Sequence, residues 1–192
     1  MADKYALDQA VIVALGSNLP GAYPSSARLL EAALAGLCSG GLKVVDRSSW
    51  WRSRAWPDPS QPDYLNGVAL VETTAPPARL LEVLRAIEAQ FGRRRDSPNA
   101  ARTLDLDLIA HGRTISDDDG LVLPHPRAHD RLFVMGPLAE IAPQWRHPLL
   151  GTRAANLAAQ ATVGRDAEAM RAMRPRATSE GGRLHWAPEE DL

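Results

Sequence analysis

The segment from Thr103 to Leu108 alternates strictly between polar and apolar residues, and no other feature of the chain constrains its fold as much. A period of two is that of a β-strand, whose successive side chains point to opposite faces. The leucines of this segment are therefore expected to face a core, while Asp105 and Asp107 share the other face. The chain must build a sheet that buries one face of this strand and carries two carboxylates on the other.

The rest of the chain predicts the elements around this strand. Apolar or alternating runs predict strands at 11–15, 42–52, 64–73 and 103–110, and apolar residues at helical spacing predict helices at 27–38 and 78–91. Ser25 and Ser26 are suitable N-caps for the first helix, and glycines follow both helices. The order β-α-β-β-α-β is that of the split βαβ, or ferredoxin-like, α+β fold, an antiparallel sheet with helices on one face.

The segments after this unit are expected to be accessory. His111–Arg113 resembles the turn of a hairpin, 121–123 is a further strand, and helical patterns follow at 130–141 and 152–161. Residues 165–192 are polar and rich in arginine, which predicts a tail that is partly disordered. We therefore expect one domain over 1–164 and a polar tail over 165–192.

Composition excludes several classes of protein. The chain is 45% hydrophobic and 23% charged with a net charge of -1, which is typical of a globular protein and argues against a broad nucleic-acid-binding face. No apolar run approaches the length of a membrane span, and the first ten residues lack the apolar stretch of a secretory signal. The lone Cys38 excludes an internal disulfide and is expected to be buried. We expect a monomer that acts in the cytoplasm.

The basic residues limit how this protein can bind phosphate. Lys4 and Lys43 are the only lysines among the 22 basic residues, so the other 20 are arginines. No lysine follows a glycine, which excludes a Walker A loop. Any phosphate must therefore be bound by arginines, backbone amides or a metal ion.

Asp105 and Asp107 are the strongest candidates for a chemical role. Two carboxylates on one face repel each other unless a cation lies between them, and Mg²⁺ binds such oxygens together with substrate phosphates. Arg93, Arg94, Arg95 and Arg102 lie directly upstream. A basic loop that leads into a diacid strand suits a metal-bound triphosphate. The alternative is a solvated strand face on which arginines and aspartates neutralise each other.

Three weaker patterns accompany this strand. Gly16-Ser17-Asn18 ends the first strand, where Asn18 either binds a ligand or caps the turn. Tyr64 and Asn66 share one strand face, as an aromatic plate and an amide that recognise a heterocycle or as ordinary packing. His125 lies between two prolines, and Arg131 and Phe133 follow it as a second basic and aromatic cluster. Ordinary packing is the alternative for that cluster as well.

Together these motifs resemble 6-hydroxymethyl-7,8-dihydropterin pyrophosphokinase, an enzyme family of the folate pathway. The resemblance covers about residues 10–155 and is carried by ALGSNL, QPDYLNGVALVET, the Arg93/Arg95 pair, RTLDLDLI and LPHPRAHDRLFVMGPLAEIAP. The family has the ferredoxin-like α+β fold, which agrees with the element order. Its reaction transfers the β,γ-pyrophosphoryl group of ATP to the hydroxymethyl oxygen of the pterin and releases AMP.

The resemblance implies a role for each matching residue. Asp105 and Asp107 match the ligands of two Mg²⁺ ions that bridge the phosphates of ATP. Arg93 and Arg95 match the catalytic arginines of a mobile loop. ATP is further expected to contact Arg102, His125 and Arg131. The pterin is expected between Tyr64 and Phe133, with Asn66 and the backbone of Ser53 at its polar edge.

This chain departs from the best-known members of the family in three places. The loop between Arg95 and Arg102 reads DSPNAA, which is shorter than the enterobacterial loop and lacks its tryptophan. Trp56 stands where an aliphatic lid residue is found in those members, and Gly120 and Val122 replace an arginine and a threonine that touch the nucleotide. These differences concern ATP affinity and loop closure rather than the reaction itself.

Two other functions remain as alternatives to catalysis. A non-catalytic relative that binds a pterin or a nucleotide would keep the fold, but retention of Asp105, Asp107, His125 and Arg131 argues against it. An RNA-binding module of the same fold would need exposed aromatic residues on the central strands, where this chain carries aspartates instead. The sequence therefore favours the pyrophosphokinase.

Overall fold

The computed structural model describes residues 7–55, 58–92, 102–118 and 120–170, and the backbone of 178–180 and 183–185. The strands are β1 (Val11–Ser17), β2 (Lys43–Arg47), β3 (Trp51–Ser53), β4 (Tyr64–Glu72), β5 (Asp105–His111), β6 (Ser116–Asp118), β7 (Leu121–Leu123), β8 (Glu168–Ala169), β9 (Thr178–Glu180) and β10 (Arg183–His185). The helices are α1 (Ser26–Ser39), α2 (Pro77–Gln90), α3 (Leu132–Ile141) and α4 (Ala154–Gln160), and a 3₁₀ turn precedes α3.

The main sheet is antiparallel and has the order β5-β1-β4-β3-β8, with β2 also paired to β4. This arrangement confirms the predicted ferredoxin-like α+β fold, in which β1 is an inner strand between β4 and β5. The diacid strand is β5, and it pairs with β1 at its inner edge. The order of the strands thus places Asp105 and Asp107 on the edge strand of the sheet, next to β1.

The predicted strand at 42–52 is divided into β2 and β3, which both pair with β4. Serines cause the division. The Ser48 N–H still donates to the Val68 carbonyl at 2.9 Å, but the Val68 N–H donates to the Ser48 hydroxyl at 3.0 Å and not to a backbone carbonyl. Both Ser49 groups, the N–H and the hydroxyl, bind the Glu140 carboxylate at the end of α3. Regular pairing with β4 therefore resumes at Trp51.

Both predicted helices of the first unit form where their caps indicate. The Ser25 hydroxyl accepts a hydrogen bond from the Arg28 N–H at the start of α1, and Gly40 follows its last residue. Pro77 is the first residue of α2, where its missing N–H costs no hydrogen bond. Leucines of both helices and the inward face of β5 form one core beneath the sheet.

The opposite face of the sheet has a second core that covers only part of it. Ile12, Val68 and Leu70 pack there against α3 and α4. Strict alternation in β5 ends after Leu108, because the pairing with β1 is irregular between Ile12 and Val13 and both Ile109 and Ala110 then turn to this second core. The end of the sheet that carries Asp105 and Asp107 lies outside this core, on the same face.

The accessory hairpin differs from its prediction. Strand β6 pairs with β7 and not with β5, so His111–Arg113 ends β5 without returning along it. The Arg113 guanidinium donates hydrogen bonds to the carbonyls of Arg146 (2.8 Å) and Pro148 (3.2 Å). These bonds direct the chain away from the sheet, and the hairpin forms further along.

One expectation about burial was wrong, and the first residues of the predicted tail pair with the sheet. Cys38 is exposed, because it lies in the last turn of α1, beside the buried stripe that ends at Leu37. The chain after Gly164 does not leave the domain at once, since β8 pairs with β3 and extends the main sheet. A strand of two residues, such as β8, is too short to show a periodic pattern in the sequence. The remainder of the predicted tail over 165–192 stays a prediction.

The longest helices that the structure describes, α1 and α2, have 14 residues each. None of the helices in this part of the chain is long and apolar enough to cross a membrane.

His147 is a buried histidine that the second core holds in its neutral form. Its side chain is 3% exposed, and its Nδ1 accepts hydrogen bonds from the N–H groups of Leu149 and Leu150. Its Nε2 has no hydrogen-bond partner within the described part of the chain. Burial, together with the nearby His129 and Arg113, lowers its pKa from 6.5 to about 4.

We predict that His147 makes the fold sensitive to acid. Between pH 6.5 and 4 the unfolded histidine binds a proton and the folded one does not, so the free energy of unfolding falls as the pH drops through this range. The loss attributable to His147 is about 2 kcal/mol at pH 5. His147→Asn keeps an acceptor near the position of Nδ1 but cannot titrate. Urea unfolding at pH 7 and pH 5 should show a smaller loss in this variant, and equal losses would contradict the prediction.

Candidate functional site

A pocket of about 360 Å³ lies on the part of the sheet that α3 leaves open. Its floor consists of Ala14 and Gly16 in the central strand β1. Gly16 pairs with Asn66 on one side and with Asp105 on the other, while Ala14 pairs with Val68 and Asp107. Directly paired residues of antiparallel strands share a face. The short side chains of the central strand therefore leave space between the polar side chains of its neighbours.

Gly16 leaves the space between these side chains open. A Cβ at this position would lie 3.4 Å from the Asn66 side-chain oxygen and 3.9 Å from the Asp105 Cβ. The sequence ALGSNL thus places the smallest residue where two functional side chains converge across the sheet.

One side of the pocket is acidic and faces a cationic residue. Asp105 and Asp107 both line the pocket, as the alternation of β5 predicts. The Arg102 guanidinium donates to Asp105 Oδ2 at 2.5 Å. Although burial opposes it, the Asp105 carboxylate raises the pKa of Arg102 above its ordinary value. Arg102 therefore offsets part of the repulsion between the two aspartates.

Two contacts fix the strand that carries these aspartates. The Leu106 N–H, between Asp105 and Asp107, donates a 2.7 Å hydrogen bond to the carboxylate of Glu88, which is 3% exposed at the end of α2. The Ile109 carbonyl, at the irregular pairing of β5, accepts a 2.9 Å bond from the His125 N–H. The first contact ties the strand to the helix that precedes the arginine loop, and the second places His125 beside Asp107.

His125 presents an N–H group to the pocket. Its Nδ1 accepts a 3.2 Å hydrogen bond from the Arg127 N–H, so the proton of the neutral ring is on Nε2. Nε2 lies 4.0 Å from Asp107 Oδ2. Burial lowers the pKa of His125, and the Asp107 carboxylate only partly opposes this effect. A neutral His125 therefore acts as a hydrogen-bond donor near neutral pH.

Two further arginines line the pocket on its cationic side. The Arg131 guanidinium lies 5.7 Å from the centre of the Phe133 ring. Burial and the adjacent charge of Arg127 lower the pKa of Arg131. Arg131 is partly buried and Arg127 is exposed, and two such cationic groups that repel each other favour an anion in the space between them.

The other end of the pocket suits a flat polar ring. Tyr64 and Phe133 both line it, from the start of β4 and the first turn of α3. Asn66 lines the same pocket and is 8% exposed, and its Nδ2 donates a 3.0 Å hydrogen bond to the Ser53 hydroxyl. Ser53 and Tyr64 are paired residues of β3 and β4. Aromatic faces and an oriented amide are the groups that recognise a planar heterocycle.

The structure brings most of the predicted site residues into this one pocket. The residues placed there are Ser53, Tyr64, Asn66, Arg102, Asp105, Asp107, His125, Arg131 and Phe133. Arg93, Arg95 and Trp56 lie outside the described residues, so their predicted roles stay predictions. Gly120 and Val122 do not line the pocket, and the effect of these two departures on ATP affinity stays a prediction.

The sequence patterns did not indicate some of the residues that line the pocket. Arg54, Arg127, Asp130 and Val163 also line it. The arginine in the run PHPR was a visible signal for Arg127, since it follows His125 by two residues. Val163 had no signal, because only tertiary packing brings a residue near the C-terminus to the first turn of α3.

Asn18, which the sequence left between a ligand contact and a turn, is held by the protein itself. Its side chain is 2% exposed, and its Oδ1 accepts a 2.8 Å hydrogen bond from the Arg102 N–H. Its Nδ2 donates to the Pro62 carbonyl at 3.3 Å. Asn18 thus joins the end of β1 to the segments that enter β4 and β5, and it fixes the backbone of Arg102.

The donor groups of the pocket fit a metal ion that arrives with its substrate. No group of three or more acidic, histidine or cysteine side chains suited to a metal occurs among the residues for which side chains are described. Asp105 and Asp107 nevertheless offer two carboxylates on one strand face. Mg²⁺ is typically bound by one or two carboxylates with substrate phosphates and water as its other ligands. The site therefore fits Mg²⁺ in the company of a polyphosphate.

Comparison with known protein sequences gives one consistent family. A profile described as 7,8-dihydro-6-hydroxymethylpterin-pyrophosphokinase (HPPK) matches residues 12–143. The 2-amino-4-hydroxy-6-hydroxymethyldihydropteridine pyrophosphokinase of Synechocystis is 43% identical over 141 residues, covering 73% of this chain and 70% of the relative. The enzyme of the same name from Haemophilus influenzae is 40% identical over 131 residues, covering 68% and 79%.

Comparison with solved structures supports the fold. The HPPK-DHPS of Plasmodium falciparum, solved with pteroate, superposes with a TM-score of 0.61 at 12% sequence identity. The match covers 79% of this chain but 42% of the Plasmodium chain, so this protein spans less than half of that larger one. At such low identity the likeness concerns the fold.

We predict that Asn18→Ala destabilises the protein, because the Arg102 N–H and the Pro62 carbonyl lose their partner in a buried place. The expected decrease in the free energy of unfolding is about 1–3 kcal/mol, measured by urea denaturation. Ser39→Ala is a suitable control, since its hydroxyl bonds to its own helix at an exposed position. An unfolding free energy equal to that of the wild type would favour ligand binding as the role of Asn18.

Proposed function

Because the chain belongs to the 7,8-dihydro-6-hydroxymethylpterin-pyrophosphokinase family, its activity is ATP-dependent pyrophosphoryl transfer to hydroxymethyldihydropterin in folate biosynthesis, and we propose that the transfer takes place in the pocket above Ala14 and Gly16. One observation carries this proposal. A single pocket is lined by the Asp105 and Asp107 carboxylates, by several cationic groups, and by aromatic rings with an oriented amide.

The charged end is the proposed site of the triphosphate. Asp105 and Asp107 would hold two Mg²⁺ ions, which neutralise phosphate charge when they are bound. Arg131 and the Nε2–H of His125 donate to phosphate oxygens, and Arg102 bridges from Asp105 toward the nucleotide. These groups lower the repulsion between the phosphates and an approaching hydroxyl oxygen, which is most of what this kind of transfer requires.

The aromatic end is the proposed site of the pterin. Tyr64 and Phe133 would contact the two faces of the ring, while Asn66 and the backbone of Ser53 bind its polar edge. The Asn66 amide is already oriented by the Ser53 hydroxyl. Since both ends belong to one pocket, a pterin bound here directs its hydroxymethyl group toward the phosphates.

Arg93 and Arg95 complete the proposal through the family resemblance. They precede Arg102 in the same basic segment, which leads into β5. Their assigned role is to neutralise charge on the phosphates during transfer. We also propose that the protein acts as a monomer in the cytoplasm.

We predict that the purified protein forms AMP from ATP only when both Mg²⁺ and 6-hydroxymethyl-7,8-dihydropterin are present. The metal and the pterin are each needed, because the aspartates repel an uncomplexed triphosphate and water is a poor substitute for the aligned hydroxyl. AMP production followed by chromatography, with chelator and without pterin as controls, measures both requirements. AMP release at the same rate without the pterin would contradict the proposed transfer.

We predict that Asp107→Ala lowers kcat by about 100-fold or more, since it removes a group that acts on charge in the transition state. Asp117→Ala is the matched control, because Asp117 is an exposed aspartate of β6 that does not line the pocket. Both variants should unfold at the same temperature as the wild type. A folded Asp107→Ala variant with the turnover of the control would refute the metal assignment.

A further inference from the structure

Phe133 packs directly against a glycine near the end of the domain. A Cβ on Gly164 would lie 2.5 Å from Phe133 Cδ1 and 3.1 Å from its Cε1. Gly164 also has a φ of +68°, a backbone conformation that favours glycine. The position therefore requires glycine twice, once for its backbone and once for the space taken by the aromatic ring.

The residues before Gly164 form backbone hydrogen bonds with the start of α3, which carries Phe133. The N–H groups of Thr162 and Val163 both donate to the Asp130 carbonyl, at 3.1 and 2.9 Å. The Val163 carbonyl accepts a 2.9 Å hydrogen bond from the Leu132 N–H. The backbone on both sides of Arg131 is thus tied to this segment, and Val163 itself lines the pocket.

The residues after Gly164 form hydrogen bonds with β3 and with the residues next to it. Asp166 Oδ2 accepts a 2.6 Å hydrogen bond from the Arg54 N–H, directly after Ser53. Glu168 pairs with Arg52 in the sheet and also binds its guanidinium at 2.7 Å. The Met170 N–H donates to the Trp50 carbonyl at 2.8 Å. The segment therefore crosses from Phe133 to the strand that carries Ser53.

We propose that residues 162–170 form the outer wall of the pterin subsite, and that Gly164 is a positioning residue that sets the plane of the Phe133 ring. This segment lies beyond residues 12–143, which the family profile matches. It links the two sides between which a flat ring would enter, so its geometry determines how wide that space is. The inference rests on the proposed placement of the pterin between Tyr64 and Phe133.

The decisive variant is Gly164→Ala, compared with Gly151→Ala. Gly151 has nearly the same φ of +67°, but nothing lies within 4 Å of the position of its Cβ. Both variants carry a similar backbone cost, and only Gly164→Ala displaces Phe133. We expect a KM for 6-hydroxymethyl-7,8-dihydropterin raised by roughly tenfold in Gly164→Ala, the scale of one displaced aromatic contact, with the KM for ATP changed by less than about twofold.

Gly151→Ala should leave both KM values near those of the wild type. A folded Gly164→Ala variant with a normal pterin KM would overturn the inference, and so would an equal rise in the KM of ATP. If Gly164→Ala does not fold, Asp166→Ala tests the same segment by releasing the backbone after Ser53. The expected result is again a selective rise in the pterin KM, and an unchanged value would overturn the inference.

Phe133→Leu separates this inference from the proposed function. If the pterin KM is unchanged in Phe133→Leu, then Phe133 does not contact the pterin and the proposed placement fails, which overturns the inference with it. If the pterin KM rises in Phe133→Leu but stays normal in folded Gly164→Ala, only the role of Gly164 fails. In the double variant Gly164→Ala/Phe133→Leu, the added methyl group no longer meets the aromatic ring of residue 133. We therefore expect the pterin KM of the double variant to be no higher than that of Phe133→Leu alone.

Discussion

The site depends on the pairing of β1 between β4 and β5. In this register Gly16 lies between Asn66 and Asp105, and Ala14 lies beside Asp107. Larger side chains at these two positions would fill the space where substrates are proposed to bind. A shift of one residue in either pairing would turn the polar side chains to the other face, into the core beneath the sheet. The register of the central strand therefore determines whether there is a site at all.

Charges of both signs meet around this pocket. A basic segment that ends at Arg102 leads directly into a strand with two aspartates, and Arg102 binds Asp105. Opposite charges thus meet at one place, where they neutralise each other in part. Arg127 and Arg131 add further positive charge on the opposite wall of the pocket. Such a distribution suits a compact anion bound with metal ions better than a long polyanion.

Much of the fold was predictable because local patterns and the tertiary structure agree. The period of β5, the Ser25 cap of α1 and the proline start of α2 each indicated the observed element. The failures share a physical cause. The break between β2 and β3 depends on the distant Glu140, the path after Arg113 depends on carbonyls near Pro148, and β8 is stable only through β3. Each of these contacts joins residues that are far apart along the chain.

The sequence by itself determined the chemistry of this protein: which groups are carboxylates, guanidiniums or aromatic rings, and which of them share a strand face. This follows because the two-residue period and the family motifs are local properties. Only the tertiary structure decided that Asn18 serves the backbone of Arg102 rather than a ligand, and that Gly164 lies against Phe133. Those facts require the chain ends of several elements to meet in space, and no local pattern specifies where distant segments pack.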